Sequence, residues 1–519
     1  MLIIISFLII VDAQLYQYWG FRLDSTPLLY IKTPKEALAS ISVWIIVRQL
    51  VIGFLIGWMG WYIYRKYVNT TPNFEKAKWF FSPVMAFIVA LLIIPIRGGF
   101  GIAPMNVGTA YFSKNNFLNH SAINVFWNVG FSLVESTSAD KQYYFFDENK
   151  TNTLVKGYLN NNLKPDKQVI GLSKTNVIIL ILESFTANVI EPLGGRPGIT
   201  PNINQLSKEG ILFTNFYASG NRSDKGLVSI LSGYPAQPNM SIIKYAGKTR
   251  SLPRLPLTLK KAGYTSAFYY GGDINFANMR SYLMDSHFDD IVSMDDFPKS
   301  TYNSKWGAQD HVVFQRLFAD INCSKAPFFK TYFTLSSHEP FEVPCKFMTG
   351  TDEPSKFMNS IHYTDSCVGD FIAKAKRQPW WKNTLIILVA DHGHQLPDNL
   401  PNHIFKRFHI PMLWLGGALT QTGVNDKFAT QIDIASTVLH QIGLSSKQYE
   451  FSKDIYSSHT PSFAFYSYQN GFGLLRDSIG VVYDCDFKKI LETKGSPTAQ
   501  TVDAGKAYLQ HLYRDIDKR

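Results

Sequence analysis

The chain has 519 residues, 46% of them hydrophobic and 14% aromatic, enough apolar mass for two or three structural units and too much for one small domain. Its formal net charge is +11, but the basic residues are scattered. No Lys/Arg block of the kind that marks a nucleic-acid arm occurs, so no nucleic-acid partner is expected, and a basic surface facing anionic lipid is.

The four cysteines, Cys323, Cys345, Cys367 and Cys485, form no C-x-x-C pair, which argues against a zinc knuckle and a thioredoxin-type site. One disulfide is compatible with them if this part of the chain lies outside the cytoplasm. In chain order, the opening MLIIISFLIIV is apolar up to Asp12 but lacks the basic stretch and small-residue cleavage site of a signal peptide. It reads as the back half of a membrane span, either completed by LYQYWGF or belonging to a longer membrane domain that begins upstream of Met1. Residues 41–64, ISVWIIVRQLVIGFLIGWMGWYIY, exceed the roughly 20 residues a helix needs to cross a bilayer. Arg48 and Gln49 within it are expected to face other helices or to snorkel. Residues 79–96, WFFSPVMAFIVALLIIPI, form a second expected span, with Pro83 and Pro95 near its ends. The loop between them sets Arg65, Lys66, Lys76 and Lys78 against Glu75. The positive-inside rule makes that loop cytoplasmic and the chain after residue 97 extracytoplasmic.

The expected organisation is therefore transmembrane helices over 1–97, an extracytoplasmic connector with one or two helices over 98–172, a large domain over 173–445 and a C-terminal subdomain over 446–519 that packs on it. In the third segment, apolar runs alternate with helical patterns: NVIILIL (176–182), TSAFYY (265–270), FFKTYFTL (328–335) and TLIILVA (384–390). Short apolar runs bounded by turn residues suit buried parallel strands. With helices between them they predict an α/β fold with a doubly wound sheet. The last segment has strand-like SFAFYSY and SIGVVYD and ends in a charged helix, AGKAYLQHLYRDIDKR.

Open parallel sheets bind ligands beyond the carboxyl ends of their strands, so the residues after each run matter most. They are Glu183-Ser184, Gly271-Gly272-Asp273, Ser336-Ser337-His338-Glu339 and Asp391-His392-Gly393-His394. Any one of these is an ordinary polar loop. Two carboxylates and several imidazoles at successive strand exits predict a metal centre. A further segment, ASGNRSDKGLVSILSGYP (218–235), places Ser223-Asp224 where they would cap a helix beginning near Lys225. The same hydroxyl, set at a helix N-terminus beside a metal, would be an activated nucleophile in a site suited to an anionic group. Two features keep structural readings: Trp380-Trp381 as a packing pair, and His409 in FHIP as a residue near the cleft.

NVIILILESF, TPNINQLSKEGILFTNFYASG and DHGH resemble the alkaline phosphatase and sulfatase superfamily, and within it the lipoteichoic acid synthase-like phosphoglycerol transferases. The resemblance extends along the whole chain, membrane segments included. It implies one divalent metal, manganese or magnesium before zinc, held by Glu183, Ser223, Asp391 and His392, with Ser223 as nucleophile. It implies substrate contacts from Arg280 and His338, and supporting roles behind them for His394 and Asp273. It also implies a membrane phospholipid donor, an envelope glycan or glycolipid acceptor, and a multi-pass protein of the bacterial cell membrane. The chain departs from the synthases in carrying Ser at the nucleophile position rather than Thr, and Asn278 where they have a Trp two residues before the Arg. It has two clear spans and a partial one where the family usually has five, from which the first two are expected to be missing. Phosphoethanolamine transfer, or hydrolysis of phosphodiesters or sulfuric esters on the same fold, are the alternatives. Ser223 lacks the C/S-x-P-x-R context of formylglycine sulfatases. A non-catalytic sensor would be expected to have lost a ligand, and a transporter to have more spans.

Overall fold

The computed structural model describes residues 2–19, 22–23, 43–68, 78–100, 105, 107–113, 115–135, 143–159, 165–171 and 174–519. Glu75 and Lys76 of the loop read as cytoplasmic, and 160–164 of the Asn-rich stretch, lie outside them. The chain divides into two compact units, Met1–Ala139 and Asp140–Arg519.

In the first unit the helix Leu2–Trp19 packs on Val43–Ile63. A Cβ at Gly53 would stand 3.2 Å from the Phe7 ring, so the small residue is what permits the close approach, as at helix interfaces in lipid. Arg48 Nη2 and Gln49 Nε2 both donate to Gln14 Oε1, at 2.9 and 2.5 Å, so the polar interruption of the apolar helix is satisfied by its neighbour. Trp44–Tyr67 is long and apolar enough to cross a membrane. The expected second span is shorter: Phe81–Leu91 is followed by a separate turn, Ile93–Arg97, which contains Pro95. The region 98–172 carries three short α-helices among its described residues, Asn116–Ser121, Val125–Glu135 and Glu148–Val155.

The second unit is built on an eight-stranded sheet. In chain order its strands are β1 (Asn176–Leu182), β2 (Ile211–Phe213), β4 (Thr265–Tyr270), β5 (Asp290–Val292), β6 (Phe328–Phe333), β7 (Thr384–Ala390), β8 (Met412–Leu415) and β9 (Gly423–Asn425), while β3 (Phe216–Tyr217) pairs apart with β10 (Ala429–Thr430). The spatial order is β5-β4-β6-β1-β7-β8-β2-β9. β5, β4, β6, β1 and β7 are parallel, but β8 runs antiparallel to both β7 and β2. The sheet is thus mixed and not uniformly parallel, because the chain turns back from β7 directly into the neighbouring position without a crossover. β1 and β7 form the central pair and every residue of both is buried, which explains why their sequences are unbroken apolar runs. Truncating one such side chain, Ile179→Ala for example, costs on the order of 2–5 kcal/mol. A second, antiparallel sheet, β11 (Ala464–Tyr468), β12 (Gly471–Arg476), β13 (Ile479–Asp484) and β14 (Lys489–Lys494), carries the C-terminal helix Ala499–Lys518 against β12 and β13.

Candidate active site

Register brings the carboxylates together. Leu182 of β1 pairs with Ala390 of β7, so the next residue of each strand, Glu183 and Asp391, emerges side by side, one interstrand spacing of about 4.8 Å apart. Ser184 holds the left-handed backbone region (φ 59°), an uncommon state for a non-glycine residue. That turn lets its N–H donate to Asp391 Oδ1 at 2.8 Å, while its hydroxyl donates to Glu183 Oε1 at 2.7 Å. β6 supports the same corner: Thr334 Oγ1 accepts from Glu183 N, and Ser337 Oγ donates to Glu183 O.

Ser223 arrives on the helix Ser223–Ser232. The helix begins earlier than its sequence implied. Arg222 is the capping residue and makes no side-chain cap bond, so Ser223 lies inside the first turn. Its hydroxyl is turned away from the backbone and donates to Glu183 Oε2 at 3.2 Å, with His392 Nε2 at 3.4 Å. Gly226 makes this possible, since a Cβ there would lie 2.1 Å from Asp391 O. Buried Gln431 fastens both sides: its amide nitrogen donates to Ala390 O and Asp391 O, and its oxygen accepts from Ser219 N.

Glu183, Asp391 and His392 form a buried group whose ligand atoms all lie within 4.8 Å of one another. His392 Nε2 is 3.5 Å from Asp391 Oδ2 and 3.7 Å from Glu183 Oε1. Its Nδ1 lies 2.9 Å from Gly393 O. A carbonyl only accepts, so Nδ1 carries the hydrogen and a neutral ring presents a bare Nε2. Asp391 Oδ1 accepts two backbone N–H groups, from Ser184 and His392, whereas Oδ2 is buried without a hydrogen-bond partner. Burial, and the Asp391 carboxylate beside it, push Glu183 well above the usual carboxylate range. Two apposed buried carboxylates, an orphaned oxygen and a bare imidazole nitrogen fit a divalent cation, which relieves all three. The donor set is oxygen and nitrogen without thiolate, the chemistry of magnesium, manganese or zinc.

The remaining expected residues lie outside this group. His338 is half-buried beyond β6, its ring 4.3 Å from that of Trp306, and its Nδ1 and Trp306 Nε1 share Glu339 O. Arg280 sits in the first turn of Met279–Asp285, half-buried, with its Nε lacking a partner. It follows two left-handed residues, Ala277 and Asn278. Asn278 itself is buried and donates to Ile243 O. His394 stacks on Phe357 and accepts from Leu396 N; burial and nearby Arg407 lower its pKa to about 3, so it is neutral. Asp273 closes its own turn, accepting from Asn275 N, and is outside the clustered group. His409 stacks on Tyr217 and donates from Nε2 to Thr214 O, a structural role. Trp380 donates to Asn322 Oδ1 and packs against Phe318 and Phe328. All four cysteines are free thiols. Gln431, Thr334 and Arg407 escaped sequence reading because their roles depend on partners distant in the chain.

A serine hydroxyl in the first turn of a helix thus meets two buried carboxylates and an imidazole at the carboxyl ends of the central strands. The sulfatase family model matches residues 175–444, a little over half of the chain, and the chain belongs to that family. Among curated proteins it is 25% identical over 374 residues to the lipoteichoic acid synthase-like YvgJ of Bacillus subtilis, covering 66% of this chain and 60% of that one. The chain therefore spans well under two thirds of that relative's length. Among solved structures, a protein of the alkaline phosphatase superfamily from Vibrio parahaemolyticus superposes with a TM-score of 0.64 at 27% identity, over 73% of this chain and 98% of that one. The lipoteichoic acid synthase LtaP of Listeria monocytogenes shares the fold with a TM-score of 0.60 at 20% identity, over 71% and 97%.

Proposed function

We propose that the chain transfers a phosphoglycerol-type group from a membrane phospholipid to an envelope glycan or glycolipid, through a covalent adduct on Ser223. One divalent ion, manganese or magnesium before zinc, would be held by Glu183, Ser223, Asp391 and His392. The observation that carries the reading is the approach of Ser223 Oγ to Glu183 Oε2 and His392 Nε2, at 3.2 and 3.4 Å, within a buried ligand set. The similarity to lipoteichoic acid synthases supports the choice of donor.

A bound divalent ion supplies positive charge that lowers the pKa of a neighbouring hydroxyl and offsets charge on a phosphoryl group. Ser223 Oγ is the attacking atom, and its proton is already directed at Glu183 Oε2. As the Oγ–phosphorus bond forms, the bond from phosphorus to the diacylglycerol oxygen breaks, and that oxygen takes a proton from solvent. The helix N-terminus at Ser223 favours the anionic phosphoryl oxygens, with Arg280 and His338 as further partners for them. An acceptor hydroxyl then attacks the adduct in line, its proton passing to solvent; the phosphorus–Oγ bond breaks and Ser223 Oγ takes back the proton from Glu183, giving ping-pong kinetics. The apolar helix Trp44–Tyr67 supports anchoring in the cell membrane; the extracytoplasmic placement of the catalytic unit rests on a second crossing by Phe81–Arg97, with Arg65 and Lys66 marking the intervening loop as cytoplasmic.

The test is incubation of the purified protein and Ser223→Ala with phosphatidylglycerol labelled in its head group. Wild type is expected to carry label on the Ser223 peptide, and Ser223→Ala none. Full turnover by Ser223→Ala would sink the reading. Labelled phosphatidylethanolamine in the same assay distinguishes ethanolamine transfer, and label released to water distinguishes hydrolysis.

A further inference from the structure

Gly393 carries two donors on one carbonyl. His392 Nδ1 lies 2.9 Å from Gly393 O, and Arg407 Nη1 lies 2.6 Å from the same atom. The approach is backbone to backbone, since a Cβ at Gly393 would stand 2.1 Å from Arg407 O. Arg407 is not fully exposed, and its Nε is buried without a hydrogen-bond partner. A half-buried guanidinium whose Nε goes unpaired gives up part of its hydration, and an apolar side chain of similar length would pack there at less cost. Stability therefore does not account for a guanidinium at this position. Its one well-made bond goes to the carbonyl that orients His392.

We propose that Arg407 is a positioning residue for His392. By pinning Gly393 O it fixes the plane and tautomer of the ring, so that the bare Nε2 stays directed at Ser223 Oγ, Asp391 Oδ2 and Glu183 Oε1. It thereby raises the affinity of the Glu183–Asp391–His392 group for a divalent cation. This rests on the reading that these residues hold such an ion. Partners of a ligating histidine typically alter metal affinity by about 10–100-fold when removed. Lys at 407 could still donate to Gly393 O, whereas Met keeps the length and removes the donor.

The experiment measures Mn2+ binding by the full chain, with free Mn2+ followed by its electron paramagnetic resonance signal, alongside metal-free thermal unfolding. Arg407→Met is expected to raise the Mn2+ dissociation constant by about 10–100-fold while leaving the metal-free Tm unchanged or higher. Arg407→Lys is expected to recover most of the affinity. In a His392→Ala background, Arg407→Met should cause no further loss, since the effect passes through that ring. Wild-type affinity in Arg407→Met, or a loss matched by a fall in metal-free Tm, overturns the inference. A wild-type chain that binds no Mn2+, Mg2+ or Zn2+ overturns instead the metal reading beneath it.

Discussion

Asp391 divides the work between its two oxygens. Oδ1 is a structural acceptor for two backbone N–H groups, and Oδ2 is held free in a buried space beside Glu183 and His392. Asn at 391 can keep the first role and not the second, because its amide would present hydrogens where a cation needs a lone pair. Asp391→Asn is therefore expected to leave the metal-free Tm within a few degrees. It should abolish the Tm increase on adding Mn2+, and lower adduct formation by at least about 100-fold. A scanning-calorimetry titration with Mn2+ checks this. Elsewhere, Ser446, His440 and Asp454 reproduce the hydrogen-bond order of a serine-hydrolase triad, with 2.8 and 2.9 Å contacts. Ser446 is fully buried and Asp454 nearly so, so the group is a clip between the Asp433–Gln441 helix and the following loop. Its disruption by His440→Ala should cost stability, about 1–3 kcal/mol, with kcat retained in the protein that remains folded.

At the scale of elements, what the sequence revealed follows from burial. β1, β4 and β7 coincide with the apolar runs because a strand covered on both faces admits no polar interruption, and their exits named Glu183, Asp391 and His392. Strand direction leaves no such trace, so β8 could not be told from a parallel strand. The start of the Ser223 helix was misplaced because Ser at a cap and Ser in a first turn look alike in sequence; the deciding fact is that its hydroxyl is drawn to Glu183. Gly226 is the contact through which that helix meets β7. Gly226→Ala would place a methyl group against Asp391 O, an overlap costing about 1–3 kcal/mol. A displacement of the helix by even an ångström is expected to reduce adduct formation by about 100-fold. Measuring adduct formation and stability on the same preparation checks both.

The segment between β7 and β8 also carries a pH dependence. Burial lowers His409 to about 4 from the ordinary 6.5, so it stays neutral in the native protein while the unfolded chain protonates near 6.5. The unfolded state therefore binds more protons between these values, and stability falls as pH drops from 6.5 towards 4, by about 3 kcal/mol at most. His409→Gln should remove this share of the slope and leave the share due to buried His394, lowered to about 3, as read by denaturant melts across the range.

At the scale of the whole molecule, the two units carry different surfaces. The first exposes apolar helices, including Trp44–Tyr67, while the second has its own central sheet and buried site. A chain covering 140–519 is expected to remain folded and to hydrolyse a soluble nitrophenyl phosphodiester, with at least a tenfold loss on phosphatidylglycerol in vesicles, because anchoring supplies effective concentration. Comparing the two substrates on both chains tests this. One of the expected spans coincides with a helix long and apolar enough to cross a membrane, Trp44–Tyr67, whereas the pairing of Arg48 and Gln49 with Gln14 required the neighbouring helix. The adjacency of Leu182 and Ala390 has a consequence in time. The strands that bring Glu183 and Asp391 together lie some two hundred residues apart in the chain. During synthesis, the earlier acidic group must wait until the later strand has emerged and slotted beside its partner. On the proposed mechanism a nascent polypeptide is inactive until then, and products truncated before Thr384 are expected to stay so.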